Sequence, residues 1–142
     1  MASSQFQWPV RVYIEDTDAG GIVYYVNYLK FMEWARTEYM RSLGFDKLFI
    51  FNQQLMFVVH SVSAKYINPA RLDDELAATV RLLKVGAASL LMEQLIVRDG
   101  ELLCKGEVEV VCVDKNTTKP RRIPGEILSL LKSALIGDSL TV

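Results

Sequence analysis

From Asn27 onward, apolar side chains return every three or four residues: Tyr28, Phe31, Met32, Ala35, Tyr39, Met40 and Leu43. That spacing marks one buried face of a helix. Lys30, Glu33, Arg36, Thr37, Arg41 and Ser42 fall mostly off the stripe. Asn27 is a candidate cap, and Gly44 a candidate stop just past the end. Elsewhere the period is two. Residues 8–14 predict a strand with Pro9 near its start. Residues 56–67 alternate, which puts Met56, Val58, His60, Val62, Ala64 and Tyr66 on one expected face. Asn68-Pro69-Ala70-Arg71 breaks the run. Two further strands, 75–84 and 89–98, flank Val85-Gly86-Ala87-Ala88. Asp99-Gly100 asks for a tight hairpin with positive φ before a long strand over 101–113. Gly106 inside that strand implies a bulge or a close approach. Residues 115–118 predict a turn into a short strand near Arg121. Pro124 predicts the opening of a last helix carrying Ile127, Leu128, Leu130, Leu131 and Leu135.

The order is strand, long helix, short connection, then four or five mostly antiparallel strands, an α+β class. One helix cannot cover the apolar positions of so many strands. The simplest architecture wraps the sheet around the helix and pairs an edge strand with a second subunit, which also removes an exposed edge. The 142 residues predict one domain over 1–142, with its core at about 6–130 and a helix and tail after 124.

The chain is 51% hydrophobic, high for one domain, which again suggests a subunit interface. Its 16 basic and 17 acidic residues give a net charge of −1. That is not the basic footprint of a nucleic-acid binder. The densest basic run, Lys119-Pro120-Arg121-Arg122, reads as a solvated turn. No segment has the ~18 apolar residues a membrane span needs. Met1 to Trp8 lacks the pattern of a secretory signal, so the cytoplasm is expected. Cys104 and Cys112 fall on one strand about 26 Å apart at ~3.3 Å per residue, too far for a disulfide. Neither has His or Cys at metal-ligand spacing, and no metal is expected.

The chemistry concentrates in Glu15-Asp16-Thr17-Asp18-Ala19-Gly20-Gly21, just before the long helix. Three carboxylates offer a base or nucleophile, and the glycines allow backbone to approach a ligand. The helix N-terminus behind them offers unpaired N–H groups to a developing negative charge. A base beside an oxyanion site is the minimum equipment for acyl transfer. His60, the only histidine, reads as a strand or pocket-lining residue, and without a Ser or Cys motif it does not suggest a triad.

The run Asp16-Thr17-Asp18-Ala19-Gly20-Gly21-Ile22-Val23-Tyr24, with Tyr28 four residues on, resembles the 4-hydroxybenzoyl-CoA thioesterase family of hotdog-fold proteins. It is most similar to the acyl-CoA thioesterases associated with the bacterial Tol–Pal system. Arg11–Asp18, Glu33–Glu38, Asn68–Asp74 and Val111–Asp114 match further blocks in the same order. The resemblance implies a hotdog fold and hydrolysis of acyl-CoA without metal or cofactor, CoA being part of the substrate. It also implies a homodimer or homotetramer with active sites at the subunit interface. It assigns the catalytic carboxylate to Asp18 and the carbonyl-polarising N–H to Tyr25. Gly21, Tyr24, Tyr28 and His60 become candidate substrate contacts, and Lys84 and Ser89 flank the hairpin where CoA runs in the family. One position departs: Tol–Pal-type members usually carry His where this chain has Tyr25. The backbone N–H survives that change; an imidazole does not. A non-catalytic binder of acyl-CoA or acyl carrier protein is the alternative reading. A hotdog dehydratase fits the lone His60 poorly.

Overall fold

A computed structural model describes residues 5–139. Five strands form one antiparallel sheet: β1 (Phe6–Arg11), β2 (Leu55–Tyr66), β3 (Glu75–Val85), β4 (Ser89–Arg98) and β5 (Glu101–Asp114), in the spatial order β1-β3-β4-β5-β2. The long helix α1 (Asn27–Ser42) buries Tyr28, Phe31, Met32, Ala35 and Tyr39, five of the seven stripe positions; Met40 and Leu43 are half-buried. Gly44 follows at φ +98°, a conformation open to glycine, and stops the helix.

Two buried devices set α1 on the sheet. Gln94 on β4 is fully buried; its amide donates to Met32 O (2.9 Å) and its carbonyl accepts from Arg36 (2.9 Å). Gly106 on β5 keeps normal register, so it is a close approach and not a bulge. A Cβ there would lie 3.0 Å from Ser63 O and 3.1 Å from Met32 Cε. The Asp99-Gly100 hairpin has positive φ at both residues, as its sequence requires.

Several expectations need correction. β1 stops at Arg11 and not at residue 14, because the Asp16 carboxylate accepts from the Tyr13 N–H and draws Ile14–Asp16 into a 3-10 turn. Asn27 lies inside α1 and does not cap it; its side chain donates to Asp16 instead (2.8 Å). A six-residue helix, α2 (Lys47–Asn52), was not expected; Asp46 caps it by accepting from the Phe49 N–H (2.6 Å). In place of a strand near Arg121 there is one bridge, Val113 to Pro120. The expected face of β2 is wrong in its first half. The register against β5 shifts between Val59 and Ser61, so the β2 residues that share a side with buried Val108, Val110 and Cys112 are Phe57 and Val59 before the shift and Val62 after it. His60 is the extra residue.

The final helix, α3 (Gly125–Ser139), starts one residue after Pro124 and buries Ile127 and Leu131, while Leu130 is exposed. Asp138 accepts from the Tyr39 hydroxyl and the Leu82 N–H, both at 2.8 Å. Leu82 lies beyond Val80, the last β3 residue that β1 pairs, so α3 satisfies an edge β1 leaves open.

Candidate active site

Residues 16–24 form a tight hairpin. The Asp18 N–H donates to Ile22 O (2.9 Å), the Tyr24 N–H donates to Asp16 O (3.0 Å), and Thr17 bridges Val23 between them. Gly21 makes the turn at φ +79°. The two acids of the pair are treated very differently. Asp16 is buried, with one oxygen accepting from the Tyr13 N–H and the other from Asn27. Asp18 is exposed; Oδ1 accepts from the Gly20 N–H (2.8 Å), and among the described residues Oδ2 accepts from nothing. The hairpin leaves the Asp18 carboxylate one open oxygen.

The hairpin leads straight into α1. The Asn27 N–H donates to Tyr24 O and the Leu29 N–H to Val26 O. Among the described residues nothing accepts from the N–H groups of Tyr25 or Val26. Those amides sit at the positive end of a 16-residue helix. The Tyr25 ring rests on Tyr24 (centroids 5.1 Å) and edge-on against Tyr66 (5.7 Å), and Tyr66 meets Tyr28 at 5.5 Å. Tyr24 and Tyr25 are exposed. Tyr28 is buried, which raises the pKa of its hydroxyl, and that hydroxyl accepts from the Ala70 N–H (2.9 Å). Tyr66, read from sequence only as a strand position, is the hub of this aromatic wall.

Gly21, Tyr24, Tyr25 and Tyr28 thus gather with Asp18 at one end of the sheet. His60 is exposed midway along β2. Lys84 and Ser89 lie at the other end. Glu75, at the start of β3, pairs with Arg11 just before the acid hairpin. Lys84 is nine residues along the same strand, roughly 30 Å away at ~3.3 Å per residue. Lys84 is exposed and Ser89 half-buried. Beside them a cavity of about 330 Å³ opens between α1, α2 and the sheet, lined by Thr37, Met40, Ile50, Phe57, Met92 and Val110 among others. Its walls are mainly apolar. No pattern in the sequence points to it directly, because α2 supplies one side.

A five-stranded antiparallel sheet with one long helix packed against it defines the hotdog class, here with an acid hairpin at the helix N-terminus. A model of the thioesterase-like superfamily matches residues 12–131, and the chain belongs to that family. The acyl-CoA thioesterase YbgC of Haemophilus influenzae is 44% identical over 128 residues, covering 89% of this chain and 94% of the relative. An acyl-CoA thioester hydrolase YbgC of Escherichia coli is 43% identical over 133 residues, 93% of this chain and 99% of the relative. Among solved structures, a probable thioesterase from Bartonella henselae superposes with a TM-score of 0.81 at 32% identity, covering 85% of this chain and all of the other. No helix among the described residues is long and apolar enough to cross a membrane.

Proposed function

We propose that this chain hydrolyses acyl-CoA thioesters with the Asp18 carboxylate as the group that activates water and the Tyr25 N–H as the donor to the thioester oxygen. Hydrolysis of acyl-CoA itself stands on the family and its relatives: the protein is an acyl-CoA thioesterase. One observation carries the residue assignment. A carboxylate with an open oxygen in the hairpin, and the amide that directly follows the hairpin and meets no acceptor among the described residues, lie together at the positive end of α1. Asp18 takes a proton from water as the water attacks the carbonyl carbon, or attacks that carbon itself to give a mixed anhydride that water then opens. The oxyanion forms on the Tyr25 N–H, where the helix end and backbone donor favour it. Collapse breaks the C–S bond, and CoA leaves as thiolate or thiol. These steps use only the chain's own groups, and CoA enters as part of the substrate.

The site is shared between two copies. The acid hairpin lies at the end of the sheet where β2 finishes, and the apolar cavity reaches the end where β2 begins. Both ends border β2, whose outer edge pairs with nothing among the described residues and which exposes Val58, Val59, Val62 and Tyr66. Antiparallel pairing of two β2 edges about a two-fold axis sets the hairpin end of one copy beside the cavity end of the other. The acyl group then lies in the second copy's cavity, and CoA runs along the second copy's Lys84 and Ser89. Acyl carrier protein is a second thioester donor that this geometry admits. The cytoplasm, where acyl-CoA is made and used, is the compartment for such an enzyme, and two free buried cysteines accord with it.

The test is a thiol-release screen across aliphatic and aromatic acyl-CoAs with wild type and Asp18→Asn, a near-isosteric change. Loss of about 100-fold or more in kcat is expected for a base or nucleophile. Near wild-type rates in Asp18→Asn overturn the assignment; a wild type inert on every thioester favours the binding protein instead.

A further inference from the structure

The segment 69–74, between β2 and β3, lies along the acid hairpin. The Val23 N–H donates to Ala70 O (2.8 Å), the Leu72 N–H donates to Gly21 O (3.2 Å), and Arg71 bridges Ile22. Ile22 is the residue whose carbonyl accepts from the Asp18 N–H. The order across this small ribbon is therefore 16–18, 22–24, 70–72. Asp18 is held on one side of 22–24, and the 69–74 segment backs the other.

That segment is itself closed by a clasp. Arg98, at the end of β4, donates from one guanidinium nitrogen to the Asp74 carboxylate (2.6 Å) and to Pro69 O (3.2 Å), joining both ends of the segment. Its other terminal nitrogen donates to Glu101 (2.7 Å). The same Asp74 oxygen accepts from the Arg71 N–H (2.8 Å), fixing the residue that bridges Ile22. Desolvation works against the Asp74 charge, yet the bonds from Arg98 and Arg71 outweigh it and hold the carboxyl below its usual range. At neutral pH the clasp is a charge-assisted bond between one guanidinium nitrogen and one carboxylate oxygen, stronger than a neutral hydrogen bond.

We infer that Asp74 and Arg98 are positioning residues for catalysis, acting on the Asp18 carboxylate through Arg71 and Ile22. This rests on the role given to Asp18 above. Neither residue touches the substrate. Among the described residues the clasp bonds only to the segment behind Asp18 and to Glu101, so its effect is expected on the chemical step. Small displacements of a catalytic group cost rate steeply, while the clasp is partly solvated and contributes little to global stability.

The experiment measures kcat, KM and thermal midpoint for Asp74→Asn and Arg98→Met, each in the wild-type and the Asp18→Asn background, with Arg98→Lys as the conservative partner. Expected are a kcat about tenfold lower with KM within about twofold, partial recovery in Arg98→Lys, and no further loss when either change is added to Asp18→Asn. A midpoint within a few degrees of wild type shows that the variants fold, and Arg98→Lys gives a reading if Arg98→Met does not. The inference is overturned if kcat is unchanged, if KM takes the loss, or if the losses multiply with that of Asp18→Asn. Failure of the catalytic assignment looks different: Asp18→Asn alone then keeps its rate.

Discussion

Replacing Gln94 by Leu tests how α1, and with it the start of the site, is fixed to the sheet. Gln94 is fully buried, so no water stands ready to replace its bonds. The substitution removes the acceptor of Arg36 and the donor to Met32 O, both at 2.9 Å, and a weaker contact to Thr79 O at 3.3 Å. Burial already lowers the Arg36 pKa, with the Glu33 charge acting the other way, so its charge is held at a cost before any bond is lost. Losing a partner of a charged donor costs about 1.5–3 kcal/mol and losing the neutral bond about 1. The apolar Leu side chain returns roughly 1 kcal/mol by transfer. The net expectation is a loss of about 1.5–3 kcal/mol, read as a lower urea midpoint at unchanged slope and constant protein concentration. Adding Arg36→Met removes the orphaned charge, and the pair is expected to be less destabilised than the sum by about 1 kcal/mol. A Gln94→Leu protein within about 0.5 kcal/mol of wild type would show that the buried amide is not what holds α1.

Two more outcomes follow from packing and titration. Tyr39 is buried and donates to Asp138, which raises its pKa above the usual phenol value through desolvation first and the carboxylate second. The fold therefore favours the protonated phenol: its contribution is complete below about pH 10, the unfolded value, and is lost as pH rises beyond it. Urea midpoints at pH 8 and pH 11 should fall more for wild type than for Tyr39→Phe; equal falls would refute the coupling. Gly106→Ala puts a methyl against Ser63 O and the Met32 side chain. Met32 can swing aside but the ladder carbonyl cannot, so a loss of about 1–2 kcal/mol in urea unfolding is expected, and a neutral change would contradict it.

The long elements were legible because each repeats its pattern several times. The α1 stripe and the strands over 75–84, 89–98 and 101–113 appear within a residue or so of their expected ends. Asp99-Gly100 was legible because its backbone conformation admits few residues. What was missed has a short or distant cause. α2 spans six residues, less than two turns, and shows no period. The shift at His60 inserts one residue and leaves no mark in composition, yet it reverses half a strand. Asn27 had the chemistry of a cap, but Asp16, eleven positions back, claims its side chain. Asp18 and Tyr25 were expected only through the family resemblance, since neither spacing nor composition marks one acid or one amide of this run over its neighbours. The separation of Lys84 and Ser89 from them is a property of the sheet, and the Arg98–Asp74 clasp joins residues 24 positions apart.

The most direct measurement is complementation between two defective variants. Asp18→Asn removes the acid, and Thr37→Trp fills the cavity from its α1 wall. Each alone is expected to release almost no CoA. In a shared site, a mixed dimer carries both defects on one side and neither on the other. Equal amounts unfolded together and refolded should then regain about a quarter of wild-type turnover, since half of the dimers are mixed and each has one intact site. If the mixture stays as inactive as its components while mass spectrometry shows mixed dimers, the acid and the cavity do not serve one site across the interface.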